Sequence, residues 1–312
     1  MKIVFLGSPA CALPSLEKLL KYGHQIPLII CQPDRPSGRG KKLTSCPVKR
    51  FALDRNIQVY QPQSIRKDPN ALSVISSLNP DVCVVVAYGQ IIPSKLLEVP
   101  PHGFFNVHFS LLPHYRGAAP VARAILKGEE ITGVTIIRLN EKMDEGDILT
   151  RMGVAILPYE TAGELEMRLA EKGAELLVNT LSHLDEITPQ KQDHSQATYA
   201  PKIDKEEGLI DWNQEATAIE RKVRAFTPWP SAYTYFQGKR LKILSGRALP
   251  EKTSSDKQAG LILKADKAGI QICCGGGSIF LITSLQPQNK KPMSAYSFSL
   301  GQKIKLESTF FG

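Results

Sequence analysis

At 312 residues the chain is longer than one hydrophobic core comfortably serves, so two domains are expected. Its net charge of +9, from 39 Lys and Arg against 30 Asp and Glu, favours a polyanionic partner. There is no run of 18 apolar residues, and Met1-Lys2 leads straight into a short apolar strand, so neither a membrane-spanning helix nor an export signal is expected.

Short apolar runs at 2–6, 26–31, 82–87, 104–108 and 134–139 are separated by helix-like segments, notably 13–22 and 71–78. Apolar runs alternating with helices predict an α/β domain built on a mostly parallel, Rossmann-like sheet covered on both faces. The first βα turn, Gly7-Ser8-Pro9, lacks G-x-G-x-x-G. No phosphate-binding G-x-x-x-x-G-K-[ST] occurs either, so no nucleotide fingerprint accompanies the sheet. After the second strand comes a loop rich in Gly, Pro and base, Pro33-Asp34-Arg35-Pro36-Ser37-Gly38-Arg39-Gly40-Lys41-Lys42. Such a loop lets backbone approach a phosphate chain while Arg35, Arg39, Lys41 and Lys42 neutralise it. Six cysteines (11, 31, 46, 83, 273, 274) include no C-x-x-C pair. No zinc site is expected, and a reducing cytoplasm is the natural compartment.

The run 104–108 carries Asn106 and His108 at i, i+2, hence on one face of a strand. They stand just before the Pro- and Gly-punctuated loop Phe109-Ser110-Leu111-Leu112-Pro113-His114-Tyr115-Arg116-Gly117. Open α/β sheets bind ligands at the carboxyl ends of their strands. A donating amide beside a proton-exchanging imidazole suits acyl transfer, in which an oxyanion must be stabilised and one amine deprotonated. Without a G-x-S-x-G nucleophile, transfer is expected to be direct between two bound substrates. Beyond the strand at 134–139, Met143-Asp144-Glu145-Gly146-Asp147 offers a third group. Asp144 or Asp147 is placed to return and orient His108.

Residues 161–184 form the clearest helix, opened by a Thr161/Glu164 capping box and striped with leucines. It is expected to close a first domain at 1–187. A polar stretch at 188–207 reads as a linker. Within 208–312 a helix at 215–226 precedes five short strands at 232–236, 241–248, 260–265, 270–274 and 279–285. That pattern predicts a small OB-like β-barrel, and its basic surplus suits nucleic acid.

Six strings together resemble the methionyl-tRNA formyltransferases: KIVFLGSP at 2–9, QPDRPSGRGKKLTSCPVK at 32–49, NVHFSLLPHYRGAAP at 106–120, MDEGD at 143–147, TYAPKI at 198–203 and IERKVRAFTPWPSAY at 219–233. The resemblance spans both domains. It implies a formyltransferase domain, a C-terminal tRNA-binding barrel, 10-formyltetrahydrofolate as co-substrate, no metal, and initiator methionyl-tRNA as acceptor. It further implies Asn106, His108 and Asp144 as the catalytic trio. Ser110, Leu111, Leu112 and Pro113 fall on the folate-contacting loop, and Arg39 on the loop that enters the acceptor stem. A monomer without membrane association is expected. Where relatives carry G-T-P-D-F-A, this chain has Gly7-Ser8-Pro9-Ala10-Cys11-Ala12, so an acid at position 10 is lost. Two alternatives are a formyltransferase acting on a small amine and an RNA-binding module whose first domain is only a scaffold. The basic loop and basic C-terminal region argue against the first, and the polar trio against the second.

Overall fold

The structure is a computed structural model that describes residues 1–37, 42–254, 257–302, 304 and 311. The order of elements in the first two-thirds is β1 (Lys2–Gly7), α1 (Leu13–Lys21), β2 (Gln25–Ile30), β3 (Arg35–Ser37), β4 (Lys42–Thr44), α2 (Pro47–Asp54), β5 (Gln58–Tyr60), α3 (Ala71–Ser76), β6 (Val82–Val86) and α4 (Ser94–Leu97). Then follow β7 (Phe104–His108), β8 (Arg116–Gly117), α5 (Pro120–Lys127), β9 (Ile131–Arg138), β10 (Ile148–Ala155), α6 (Ala162–Ser182) and β11 (Tyr199–Ala200). The seven-stranded sheet runs β10-β9-β7-β6-β1-β2-β5. Its β7-β6-β1-β2-β5 portion is parallel, while β9 and β10 extend it antiparallel. Continuous apolar strands such as Val82–Val86, buried at every residue, are what helices on both faces require. One face buries Val4, Leu6, Leu28, Ile30, Val85 and Phe104 against Ile65, Ile75 and Leu96.

The remaining chain contributes α7 (Ala216–Ala225), β12 (Ala232–Phe236), β13 (Lys239–Lys252), β14 (Ile262–Asp266), β15 (Gly269–Cys273), β16 (Ser278–Pro287), β17 (Met293–Ser294) and α8 (Ala295–Leu300). Its strands form an antiparallel sheet ordered β12-β13-β16-β15-β14, with β17 on β16. Trp212, Phe236, Phe280 and Phe298 fill its core with Ile219, Ile243 and Ile282. Among the described residues no helix is long and apolar enough to cross a membrane.

The chain forms two compact units. The second unit includes Val121–Glu130 and Ile156–Leu165, both inside the expected first domain, together with the chain from Lys202 onward. Polar pairing holds these excursions there. The Arg123 guanidinium donates to both Glu207 carboxylate oxygens at 2.6 and 2.9 Å, and the Gly163 amide donates to the Thr227 carbonyl at 3.0 Å. The Thr161 box also forms, with Glu164 accepting from the Thr161 amide at 2.9 Å and Thr161 Oγ1 from the Glu164 amide at 3.3 Å.

Part of the stretch 188–207 is paired within the first unit. The amide of Gln190 and that of Ile148 each donate to the other's carbonyl at 2.8 Å, and β11 pairs in parallel with β8. Up to Pro201 this polar stretch takes backbone partners from the first unit.

Candidate active site

The site begins where β7 ends. Pairing of Asn106 and His108 with Ile137 and Thr135 of β9 fixes their register, so both side chains leave the same face. His108 is 5% exposed. The chain then turns through Phe109 to Tyr115 before re-entering as β8. Within that loop Ser110 Oγ donates to the His114 carbonyl at 2.6 Å, and Thr135 Oγ1 both donates to the Ser110 carbonyl at 2.7 Å and accepts from the Leu112 amide at 3.1 Å. Leu112 is fully buried against Ile137 and Ile148, while Leu111 is half-buried. The Leu112–Pro113 peptide bond is cis.

Of the two candidate acids, Asp144 is the one that faces His108. Its Oδ2 lies 3.7 Å from His108 Nδ1, and its Oδ1 accepts from Asn106 Nδ2 at 3.4 Å. The Gly117 amide donates to Oδ2 at 2.8 Å. Asp147 is tied instead through its main chain, its carbonyl accepting from the Arg138 amide at 2.9 Å. His108 Nε2 stands 3.0 Å from the Tyr115 carbonyl. A carbonyl only accepts, so in this arrangement Nε2 carries hydrogen. Gly117 is required at its position because a Cβ there would sit 2.7 Å from the Ala200 carbonyl oxygen, at φ +118°. The site therefore sets a neutral amide donor, an imidazole and a carboxylate around one strand end, a combination suited to stabilising an oxyanion and moving a proton.

The basic segment after β2 forms a hairpin, β3 with β4. Arg35 lies on β3, exposed, its Nη2 donating to Gln32 Oε1 at 3.1 Å; Lys42 is the first residue of β4. Arg39 and Lys41 lie outside the described residues. Asp34 anchors the base of the hairpin. Hydrogen bonds from Gln61 at 3.0 Å and Lys49 at 2.7 Å hold its carboxyl below the usual carboxylate range. Cys46 caps α2, accepting from the Lys49 amide, and a hydrogen bond from Cys31 helps lower its thiol to about 6.

Three polar partners of the site escaped the sequence reading: the Tyr115 carbonyl, the Gly117 amide and the side chain of Gln192. The first two belong to the backbone and leave no compositional signal. Gln192 lies in the polar stretch taken for linker. Thr198, whose Oγ1 accepts from the Tyr115 amide at 2.8 Å, had a signal in the TYAPKI string.

Comparisons with known proteins bear on both halves of the chain. Residues 1–181 match the formyl transferase family and residues 202–303 the formyl transferase C-terminal domain. The methionyl-tRNA formyltransferase of Hydrogenovibrio crunogenus is 42% identical over 306 residues, covering 97% of each chain. The chain belongs to the methionyl-tRNA formyltransferase family. It is accordingly a one-carbon transferase that formylates methionyl-tRNA. The fold is shared more widely. HypX from Aquifex aeolicus, solved in complex with tetrahydrofolic acid, superposes with a TM-score of 0.66 at 17% identity. All of this chain is covered, but it spans only 50% of HypX. An N-formyltransferase from Helicobacter canadensis, solved with folinic acid and dTDP-3-aminofucose, gives 0.65 at 18% identity over 92% of this chain and 99% of its own.

Proposed function

We propose that the formyl group comes from 10-formyltetrahydrofolate and passes directly to the α-amine of methionyl-initiator tRNA, with Asn106, His108 and Asp144 acting on the tetrahedral intermediate. The observation that carries this reading is the convergence of one carboxylate on both other groups, 3.7 Å from His108 Nδ1 and 3.4 Å from Asn106 Nδ2. The folate bound to the two structural relatives supports the donor.

The attacking amine must be neutral, and α-amino groups titrate near about 7.7–8.0, so little help is needed to deprotonate it. As its nitrogen bonds to the formyl carbon, Asn106 Nδ2 donates to the developing oxyanion; one such donor is commonly worth roughly 3 kcal/mol in the transition state. His108 carries the proton lost by the amine to the departing folate nitrogen, which then leaves as a neutral amine. Nε2 makes this exchange: it first gives the hydrogen it now directs at the Tyr115 carbonyl to the departing nitrogen and then takes the proton that the amine loses. Asp144 holds Nδ1 and the positive charge that the ring acquires. Ser110, Leu111, Leu112 and Pro113 form the folate-facing loop, with the Ser110 carbonyl and Leu112 amide held by Thr135.

Arg35, Arg39, Lys41 and Lys42 meet phosphates near the aminoacyl end of the tRNA, and the basic C-terminal unit grips the remaining backbone with little sequence preference. The enzyme works as a cytoplasmic monomer. The test offers isotopically labelled 10-formyltetrahydrofolate to the protein with charged initiator tRNA and an amino-sugar nucleotide together. Label on the methionyl nitrogen is the expected result; label on the sugar would favour a small-amine acceptor.

A further inference from the structure

Behind Asp144 lies a buried polar assembly built on Arg116 and Gln192. Arg116, only 1% exposed, is the largest fully buried side chain among the described residues. Its Nε and Nη2 both donate to Gln192 Oε1, at 3.0 and 2.8 Å, and its Nη1 lies 3.6 Å from Glu145 Oε1. His194 Nδ1 stands 3.3 and 3.2 Å from Nη1 and Nη2. Gln192, itself 6% exposed, donates from Nε2 to the Asp144 and Gly146 carbonyls, both at 2.7 Å.

The Gln192 amide is thereby saturated, with two donors against its oxygen and two acceptors against its nitrogen. Its orientation is forced. Turning it over would set oxygen against two carbonyls and NH2 against a guanidinium. One of the two carbonyls belongs to Asp144 itself, whose φ of 54° lies in the left-handed region that residues other than glycine adopt only occasionally. The next chain atoms after Arg116 complete the clamp, because the Gly117 amide takes the Asp144 carboxylate. Asp144 is thus gripped at its carboxylate by Gly117 and at its main-chain carbonyl by Gln192, and both grips trace to residues 116–117.

We propose that Gln192, locked by Arg116, is a positioning residue for formyl transfer: it holds Asp144 in the left-handed conformation that presents its carboxylate to His108. This rests on the assignment of Asp144 to catalysis. In this reading Gln192 acts only through Asp144. Removing its amide should therefore lower kcat and leave KM for both substrates unchanged, and the loss should vanish when Asp144 has no carboxylate to place.

The experiment is a double-mutant cycle in kcat on the full-length enzyme, combining Gln192→Met with Asp144→Ala. Gln192→Met alone should lower kcat by about tenfold or more with KM within about twofold, and should lower it by less than about threefold in the Asp144→Ala background. Gln192→Glu, which keeps a partner for Arg116 but cannot donate to both carbonyls when ionised, should reproduce the loss and serves if Gln192→Met does not fold. An equal factor in both backgrounds, or a wild-type kcat in Gln192→Glu, overturns the proposal. Should Asp144→Ala itself turn over normally, the assignment of the trio fails instead.

Discussion

Replacing Asp144 by Asn keeps the volume of the side chain and removes its charge, so the electrostatic part of the mechanism bears most of the change. Both groups of the pair are largely buried, with side chains 6% and 13% exposed, and Nδ1 lies 3.7 Å from Oδ2. At an effective dielectric constant of ~20, a unit charge on the imidazole at that separation is attracted by about 4.5 kcal/mol. Since about 1.4 kcal/mol corresponds to tenfold, the ceiling on the loss is about a thousandfold. One geometric term works alongside. The Asn amide can satisfy the Gly117 N–H only through its oxygen, which turns its NH2 toward the Asn106 amide and sets donor against donor. Part of the attraction is already present before the ring is charged, so the rate constant for transfer should fall by roughly a hundred- to a thousandfold. The assay is rapid-quench single turnover with labelled 10-formyltetrahydrofolate and methionyl-tRNA at saturating concentrations. A fall of less than about fivefold, or a larger loss from Asp147→Asn than from Asp144→Asn, refutes the reasoning.

Asn106→Ala and His108→Ala should each slow single-turnover transfer by about a hundredfold or more, with folate affinity by equilibrium titration largely retained. Gly117→Ala should drive a Cβ onto the Ala200 carbonyl and disturb the β8–β11 pairing; loss of both activity and melting temperature is expected, against no change if β8 is free to shift. Arg39→Ala and Lys41→Ala should reduce kcat/KM on methionyl-tRNA more than on a short aminoacyl mimic, and equal losses on both would show the loop shaping the pocket rather than meeting RNA. Cys46 should be alkylated by iodoacetamide ahead of the buried cysteines at pH 7.5, with a rate that rises as pH passes upward through about 6, where its thiol becomes thiolate. Cys31, by contrast, is pushed well up, first by its hydrogen bond to Cys46 and then by burial. Peptide mapping by mass spectrometry that finds Cys31 modified first would contradict this assignment.

The strand beneath the site is legible in sequence, for Gly103 punctuates an apolar run and β7 occupies 104–108 as expected. The i, i+2 spacing then places Asn106 and His108 on one face by strand geometry alone. The helix opened by Thr161 and Glu164 is likewise local chemistry, and so are the five C-terminal strands, whose alternation and turns survive with shifts of a few residues, most of all in β13. The family was legible too, because six motifs along the chain coincide.

Tertiary structure decided what depends on contacts between distant segments. Asp144 and Asp147 are both acids in one short polar string, and only the path of the chain after β9 determines which carboxylate meets His108. The antiparallel edge formed by β9 and β10 needed pairing across a turn whose register no local periodicity announces. Residues 121–130 and 156–165 belong with the second unit because Arg123 finds Glu207 and Gly163 finds Thr227, each more than sixty positions away. Gln192 is the plainest case. A glutamine in a polar stretch has the composition of a linker, and it becomes a structural clamp only when the fold brings a buried guanidinium to its oxygen and two carbonyls to its nitrogen. Local propensity acts over a helical turn or a strand, whereas the partners that satisfy buried polar groups are set by the closure of the whole chain.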